Sequence, residues 1–167
     1  MPRQDQGMSS DRYQIIPRTL LFITKEDKVL LLKGAPTKRI WANQYNGIGG
    51  HIEKGEDIRQ AAQRELKEET GLSVSNLKLC ATIMIDTGDY SGIGLFVFRG
   101  KDPMGELQIS EEGSLSWVPM AELHNYSLVE DLPVILPEIM KLSPADEPLS
   151  ILYTFDERNQ LVIKINR

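Results

Sequence analysis

The chain has 167 residues, of which 41% are hydrophobic and 26% charged, and this composition is typical of one soluble globular domain with a substantial core. The formal net charge of −5 argues against a nucleic-acid polymer as the main partner, because such binding depends on basic surfaces. No apolar stretch approaches the ~20 residues of a membrane span, and the first residues lack the apolar segment of a signal peptide.

The cysteine content bears on the cellular compartment. Cys80 is the only cysteine, so the chain cannot form an internal disulfide and is compatible with a reducing compartment. It lies in an alternating apolar run, which favours a core position over a role as nucleophile. We expect a cytoplasmic protein that has no membrane partner and is either a monomer or a homodimer.

The chain alternates β-hairpins with helical segments. The polar residues 1–11 are expected to form a flexible N-terminal tail, and residues 12–167 are expected to form one domain. Apolar runs bounded by turn residues predict strands at Tyr13–Thr24, Lys28–Lys33, Leu77–Thr87, Ile93–Phe98, Ser114–Val118, Ser150–Phe155 and Leu161–Ile165.

Two longer segments have helical spacing. The first is Asp57–Thr70, which is followed by the helix-stopping Gly71, and the second is Leu128–Leu142, where Pro133 is tolerable only in the first turn. Met120–His124 is expected to add one helical turn. Because strands outnumber helices and hairpins outnumber β-helix-β units, we predict an α+β fold in which a mixed sheet carries helices on its faces.

The first predicted helix has acidic residues within its apolar face. At about 100° per residue, its apolar stripe comprises Ile58, Ala61, Ala62 and Leu66, and its solvated face comprises Arg59, Gln60, Gln63, Lys67 and Thr70. Glu65 and Glu69 fall about 20° either side of Ile58, and Glu68 lies at the edge of the stripe. Burying several carboxylates is unfavourable unless cations or hydrogen bonds compensate, so the pattern indicates a cation site.

The segment Gly50–Leu72 resembles the Nudix box, the signature of the Nudix hydrolase family. That pattern is glycine, five residues, Glu, seven residues, and then Arg-Glu-aliphatic-any-Glu-Glu-any-Gly-aliphatic. The chain matches it without departure at Gly50, Glu56, Arg64, Glu65, Leu66, Glu68, Glu69, Gly71 and Leu72. A chance match is on the order of one in 10⁹ per starting position. The order of predicted strands and helices also fits the α/β/α sandwich of this family.

The resemblance implies a metal-dependent reaction. Family members cleave a phosphoric anhydride in a nucleoside diphosphate linked to another group, and Mg²⁺ or Mn²⁺ on hard oxygen ligands neutralises the phosphates and acidifies a bound water. The implied catalytic residues and metal ligands are Glu65, Glu68 and Glu69, assisted by the carbonyl group of Gly49. Arg64 is implied to orient a glutamate through charge-assisted hydrogen bonds, with Glu56 in a supporting role, and the glycine segment is implied to admit the phosphates.

The general base differs among family members and can be a helix glutamate or one on a distant loop. Glu112, and less so Glu111, is the candidate for the distant catalytic and metal-binding carboxylate, because it precedes the strand containing Trp117. The alternative is that Glu111 and Glu112 are merely exposed.

The remainder of the chain resembles the branch that hydrolyses oxidised purine nucleoside triphosphates, such as 8-oxo-dGTP, to the monophosphate and pyrophosphate. The resemblance rests on Thr19, on the Asn-Gly-Ile-Gly-Gly segment 46–50, and on Glu130-Asp131, which stands where that branch has two base-reading aspartates. Leu128 replaces the stacking Trp of the branch. The implied substrate-binding residues are Thr19, Lys33, Asn46, Gly49, Gly50, Glu130 and Asp131.

Alternatives remain for these residues and for the substrate. Glu130 and Asp131 could be a charge pair at a helix N-terminus, Asn46 a turn residue, and Lys33 a solvated lysine. The substrate could instead be ADP-ribose, a nucleotide sugar or a dinucleoside polyphosphate. A third hypothesis is a non-catalytic nucleotide sensor, although the complete box favours an enzyme.

Overall fold

The structure is a computed structural model that describes residue 7, residues 11–110 and residues 112–166. Most of the predicted tail, residues 1–11, and the candidate Glu111 therefore lie outside the described residues. The strands are β1 (Gln14–Lys25), β2 (Lys28–Gly34), β3 (Tyr45–Asn46), β4 (Lys78–Asp86), β5 (Ser91–Lys101), β6 (Gly113–Pro119), β7 (Leu149–Phe155) and β8 (Leu161–Asn166). The helices are α1 (Ile58–Thr70), α2 (Leu132–Lys141) and a short 3₁₀ helix at Met120–Asn125.

The strands form one mixed sheet in the order β3-β2-β1-β5-β4-β7-β8, with β6 paired to β2. The β1–β5 and β4–β7 pairs are parallel and the other pairs are antiparallel. β1 pairs only with the first part of β2, Lys28–Leu30, and β3 pairs with the last part, Leu32-Lys33. β1 thus diverges from β2, and this divergence opens a space beside the N-terminal half of β1.

The glycine segment, Gly47–Gly50, lies in that space. It bonds to β1 through Leu21 N to Ile48 O at 2.6 Å and Thr19 N to Gly50 O at 2.9 Å. The segment that precedes α1 is therefore held against the sheet by backbone hydrogen bonds on its way to the helix.

Side chains that alternate along the strands build a core on each face of the sheet. The core under α1 includes Leu21, Ile23, Leu30, Ile48, Leu66 and Phe98. The core under α2 includes Phe22, Leu31, Ile83, Val97, Leu132 and Ile135. The α1 face and the α2 face are thus opposite sides of one sheet, and the predicted α+β sandwich is confirmed. No helix among the described residues is long and apolar enough to cross a membrane.

Local signals define both ends of α1. Asp57 accepts hydrogen bonds from Arg59 N at 2.8 Å and Gln60 N at 2.9 Å, and the Gln60 side chain accepts one from Asp57 N in return, which is a capping box. The helix ends at Gly71, whose φ of 76° is left-handed. These ends agree with the sequence expectation, and they fix which residues of α1 face the sheet.

The predicted exposure of Thr70 is wrong. Thr70 is fully buried, and its hydroxyl donates to Leu66 O at 2.5 Å and accepts from Leu72 N at 3.0 Å. Residues after the helix fold back over its C-terminal end, since Gln108 N donates to Thr70 O at 2.9 Å. This long-range cover is not visible in the helical periodicity.

The predicted start of α2 at Leu128 is also wrong, because the helix begins at Leu132. The residues before it are extended and pair with β3 through Tyr45 N to Ser127 O at 2.8 Å and Val129 N to Tyr45 O at 3.0 Å. Pro133 falls in the first turn, as required. Backbone pairing with β3 therefore takes the place of a first helical turn.

Candidate active site

The carboxylates of α1 lie between the helix and the glycine segment. The Glu65 side chain is only 13% exposed, Glu69 is partly buried, and Glu68 is 61% exposed. This order agrees with the helical wheel, which placed two glutamates inward and Glu68 at the edge. The site therefore begins with two carboxylates turned partly away from water and a third at the rim.

The guanidinium of Arg64 connects the surrounding carboxylates. Its Nε and Nη2 donate to Glu56 Oε1 and Oε2 at 2.6 and 3.0 Å, a bidentate pair. Its Nη1 donates to Glu65 Oε1 and Glu68 Oε2, both at 2.9 Å, and Nη2 also donates to His51 O at 3.0 Å. The planar fork thus sets the orientation of three glutamates and ties them to the backbone before α1.

The same contacts shift the protonation equilibria of both partners. The Arg64 guanidinium, followed by the backbone amide of Glu53, holds the pKa of Glu56 below its ordinary value. The pKa of Arg64 is raised, chiefly by the hydrogen bond to Glu56. Each partner of the Arg64–Glu56 pair thus favours the charged form of the other.

Glycine is required at position 49, and at position 50 a side chain would displace the Glu65 carboxylate. Gly49 has a φ of 151°, and a Cβ there would lie 2.1 Å from Thr19 O. A Cβ on Gly50 would lie 2.5 Å from Glu65 Oε1. Gly49 N also donates to Glu69 Oε2 at 3.3 Å. The backbone of the glycine segment is thus packed directly between β1 and the acidic face of α1.

A loop carboxylate from elsewhere in the chain joins the cluster electrostatically. The pKa of Glu69 is raised to about 7, mainly by burial, and the charges of Glu65 and Glu112 raise it further, whereas the Gly49 amide and Lys38 oppose the shift. Glu112 forms an ion pair with Lys38, and its carbonyl accepts from Ala35 N at 3.1 Å. The structure therefore brings Glu112, the predicted distant carboxylate, into the field of the α1 glutamates.

The fit of these residues to a metal ion depends on their chemistry. Within residues 11–110 and 112–166, no group of three or more His, Cys, Asp or Glu side chains is arranged as a preformed metal site. Arg64 donates hydrogen bonds to one oxygen of Glu65 and one of Glu68, and Lys38 forms an ion pair with one oxygen of Glu112. The donors are nevertheless carboxylate oxygens, which Mg²⁺ and Mn²⁺ prefer. These carboxylates have the chemistry that the predicted metal requires. In this structure, Glu65, Glu68 and Glu112 are paired with the cationic side chains of Arg64 and Lys38.

Two predicted substrate residues lie beside the glycine segment. Thr19 is 2% exposed, and its hydroxyl is a buried polar atom without a hydrogen-bond partner among the described residues. Asn46 pairs with Leu32 of the α1-face core, and its Oδ1 accepts from Gly47 N at 2.7 Å. The turn role that remained open for Asn46 is therefore present, and the Thr19 hydroxyl is a buried polar group that needs a hydrogen-bond partner from outside the described residues.

The other predicted substrate residues lie on the α2 face. Lys33 Nζ lies 5.8 Å from the centre of the Tyr45 ring. Glu130 is exposed, whereas Asp131 accepts a hydrogen bond from the Tyr153 hydroxyl at 2.8 Å. Burial raises the pKa of Asp131, and the Tyr153 hydrogen bond opposes this. Asp131 is the N-cap residue of α2 and makes no side-chain capping bond there, so the alternative of a charge pair at the helix N-terminus is compatible with its position beside the Tyr153 contact.

Sequence reasoning missed two polar residues of this region. Tyr153 lies on the last hairpin, and no local pattern links it to Asp131. Arg18 precedes Thr19 on β1, and its Nε is buried without a hydrogen-bond partner among the described residues. Its position next to a predicted substrate residue was the only available signal.

Comparison with known proteins agrees with this geometry. The NUDIX domain family model matches residues 15–139. The chain is 35% identical over 100 residues to the oxidized purine nucleoside triphosphate hydrolase of Danio rerio, a match that spans 59% of this chain and 63% of that protein. It is 35% identical over 121 residues to the Nudix hydrolase YvcI of Bacillus subtilis (strain 168), covering 70% and 73% of the two chains.

A solved structure has the same fold. The crystal structure of the mutator MutT protein from Bacillus halodurans matches with a TM-score of 0.76 and 25% sequence identity, covering 91% of this chain and 98% of that chain. The predicted fold class is thereby confirmed, and the names of the relatives support the predicted enzyme class, a Nudix pyrophosphohydrolase. Since the family model spans three quarters of the sequence, including the glycine segment, α1 and Glu112, this chain belongs to the Nudix hydrolase family.

Proposed function

We propose that this protein is a Mg²⁺- or Mn²⁺-dependent hydrolase that cleaves a nucleoside triphosphate to the monophosphate and pyrophosphate, with oxidised purine nucleotides such as 8-oxo-dGTP as its substrate class. The observation that carries the reaction is the arrangement of Glu65, Glu68 and Glu69 on one face of α1. One guanidinium orients the first and second of them, and the glycine segment contacts the third.

The residues of the site divide the chemistry among them. Glu65, Glu68, Glu69 and Glu112, with the carbonyl of Gly49, would hold the metal, which supplies charge neutralisation at the phosphates and an acidified water. Because positions 49 and 50 lack side chains, the glycine backbone can lie directly against β1 and the α1 carboxylates, which brings the Gly49 backbone beside Glu69. A carboxylate oxygen of Glu112 or of one α1 glutamate takes the proton of the attacking water as general base.

Support for a purine substrate comes from the residues around β1 and β3. The buried Thr19 hydroxyl, which has no partner within the described part of the chain, offers both a donor and an acceptor, and the Asn46 side chain carries both as well. Asp131 lies on the opposite, α2 face of the sheet, and its segment adjoins Asn46 only through the pairing of residues 127–129 with Tyr45. The name of the Danio rerio relative gives the same substrate class. Base recognition is thus assigned to polar groups at the divergence of β1 from β2.

A turnover panel tests this proposal. With Mg²⁺ present, the protein is expected to release pyrophosphate from 8-oxo-dGTP with a higher kcat/KM than from dGTP, dCTP, ADP-ribose or a nucleotide sugar. Product identification by anion-exchange chromatography distinguishes pyrophosphate from phosphate. Faster hydrolysis of ADP-ribose than of every triphosphate would replace the proposed substrate with the alternative class while leaving the reaction class intact.

The role of Asn46 gives a more specific prediction. Asn46→Ala is expected to raise the KM for purine triphosphates about 5- to 10-fold, because loss of one hydrogen bond to a base is worth about 1 kcal/mol. The KM for ADP-ribose should change less, as measured by steady-state kinetics. Asn125→Ala, at the exposed end of the 3₁₀ helix, serves as the matched control. Equal changes for both substrates would assign Asn46 to the turn alone.

A further inference from the structure

A buried tyrosine on the last hairpin contacts the candidate base-reading carboxylate. Tyr153 lies on β7, is 4% exposed and belongs to the core under α2. Its hydroxyl donates to Asp131 Oδ2 at 2.8 Å, across 22 residues of sequence. The bond therefore joins the start of α2 to strand β7 on the same face of the sheet.

The chemistry of this contact favours a fixed carboxylate. A buried hydroxyl is unfavourable unless it has a hydrogen-bond partner, and a partly buried carboxylate needs donors for the same reason. Asp131 stands at the N-terminal end of α2 but makes no side-chain capping bond there. Tyr153 is thus the side chain that contacts the Asp131 carboxylate, through Oδ2, while the backbone amides of Asp131 and Leu132 also act on this carboxylate.

The backbone fixes the other end of the same short segment. Ser127 and Val129 exchange hydrogen bonds with Tyr45 at 2.8 and 3.0 Å, and Tyr45 adjoins Asn46 and the glycine segment. Residues 127–131 are therefore held between β3 at one end and Tyr153 at the other. Small shifts of a carboxylate that reads a base change affinity, because hydrogen bonds weaken steeply with misalignment.

We infer that Tyr153 is a positioning residue for nucleobase recognition and acts by orienting the Asp131 carboxylate. The inference rests on the proposed function, which assigns Asp131 to the base. Tyr153 does not contact the substrate, so its effect reaches the base only through Asp131.

Tyr153→Phe removes the hydroxyl and preserves the ring in the core. The variant is expected to weaken binding of 8-oxo-dGMP, measured by calorimetry, and to raise the KM for 8-oxo-dGTP, each about 3- to 10-fold. kcat should stay within about 2-fold of the parent value, because the α1 carboxylates are untouched. The Tyr90→Phe variant, with a side chain that is largely exposed in the turn before β5, is the matched control and should behave as the parent.

A double-mutant cycle separates positioning from general destabilisation. In an Asp131→Ala background, Tyr153→Phe should produce no further change in the dissociation constant for 8-oxo-dGMP, because the carboxylate that it orients is gone. Thermal unfolding of each variant checks that the compared proteins are folded. A parental dissociation constant in Tyr153→Phe, or an equal loss for 8-oxo-dGMP and ADP-ribose, would overturn the inference.

The same measurements distinguish this inference from the proposed function. If Asp131→Ala binds 8-oxo-dGMP as tightly as the parent does, the assignment of Asp131 to the base is wrong, and the role of Tyr153 falls with it. If Asp131→Ala weakens binding but Tyr153→Phe does not, only the positioning role is wrong. Absence of pyrophosphate release from every triphosphate would overturn the proposed reaction itself.

Discussion

Glu69→Gln is expected to lower kcat for Mg²⁺-dependent pyrophosphate release about 10³-fold or more, because it removes one of the proposed metal ligands and a negative charge while preserving side-chain shape. Glu69 is partly buried against the Gly49 amide, at 3.3 Å, and lies in the field of Glu65 and Glu112. A neutral amide in this place cannot replace the carboxylate as a ligand. Steady-state kinetics across a Mg²⁺ titration measure the effect.

A charge-matched control variant shows whether a loss of activity in Glu69→Gln is specific to the α1 site. Glu157→Gln makes the same change of net charge in the exposed turn between β7 and β8, far along the chain from α1, and should retain parental kinetics. If Glu69→Gln and the parent release pyrophosphate at the same rate, the α1 carboxylates are not the catalytic centre. Parental nucleotide binding without turnover in both proteins would favour the sensor hypothesis.

The sequence predicts the local features of this site well because they depend on neighbours along one helix. Helical periodicity alone predicts that Glu65 and Glu69 face inward, and their partial burial agrees with this prediction. The capping role of Asp57 and the stop at Gly71 are likewise decided within one turn of chain. Where a few adjacent residues determine the local backbone conformation, the sequence pattern predicts the structure correctly.

Other features depend on residues that are distant in the sequence. The ion pair of Lys38 with Glu112 joins loops 74 residues apart, and the burial of Thr70 depends on a loop that returns to cover the end of α1. The Lys38–Glu112 pair follows from the pairing of β2 with β6, in which Gly34 lies opposite Gly113, and the glycine segment enters where β1 diverges from β2. No local periodicity encodes that divergence.

The separation of the predicted substrate residues follows from the same topology. Thr19 alternates with the side chains of the α2-face core and lies on the α1 face, whereas Asp131 reaches the opposite face from the start of α2. The box fixes the reaction centre because it is one contiguous segment. The residues proposed to recognise the base come from three separate segments of the chain, so their relative positions are seen only in the folded structure.

Arg64→Lys should lower kcat about 10- to 100-fold, because residues that orient metal ligands typically contribute effects of this size. The substitution preserves the positive charge but replaces a planar fork with a single ammonium group. Lysine cannot reproduce the bidentate contact to Glu56 at 2.6 and 3.0 Å together with the contacts to Glu65, Glu68 and the His51 carbonyl. The Mg²⁺ concentration for half-maximal activity is expected to rise, and both values come from one metal titration.

The matched control is Arg158→Lys, which makes the same chemical change in the exposed β7–β8 turn. It should leave kcat and the Mg²⁺ requirement unchanged. If Arg64→Lys also retains both values, a positive charge alone organises the glutamates and the directional bonds of the guanidinium are unimportant. A fall in kcat without a change in the Mg²⁺ requirement would instead place Arg64 at the phosphates, since its loss would then affect the reacting groups and leave the metal ligands in position.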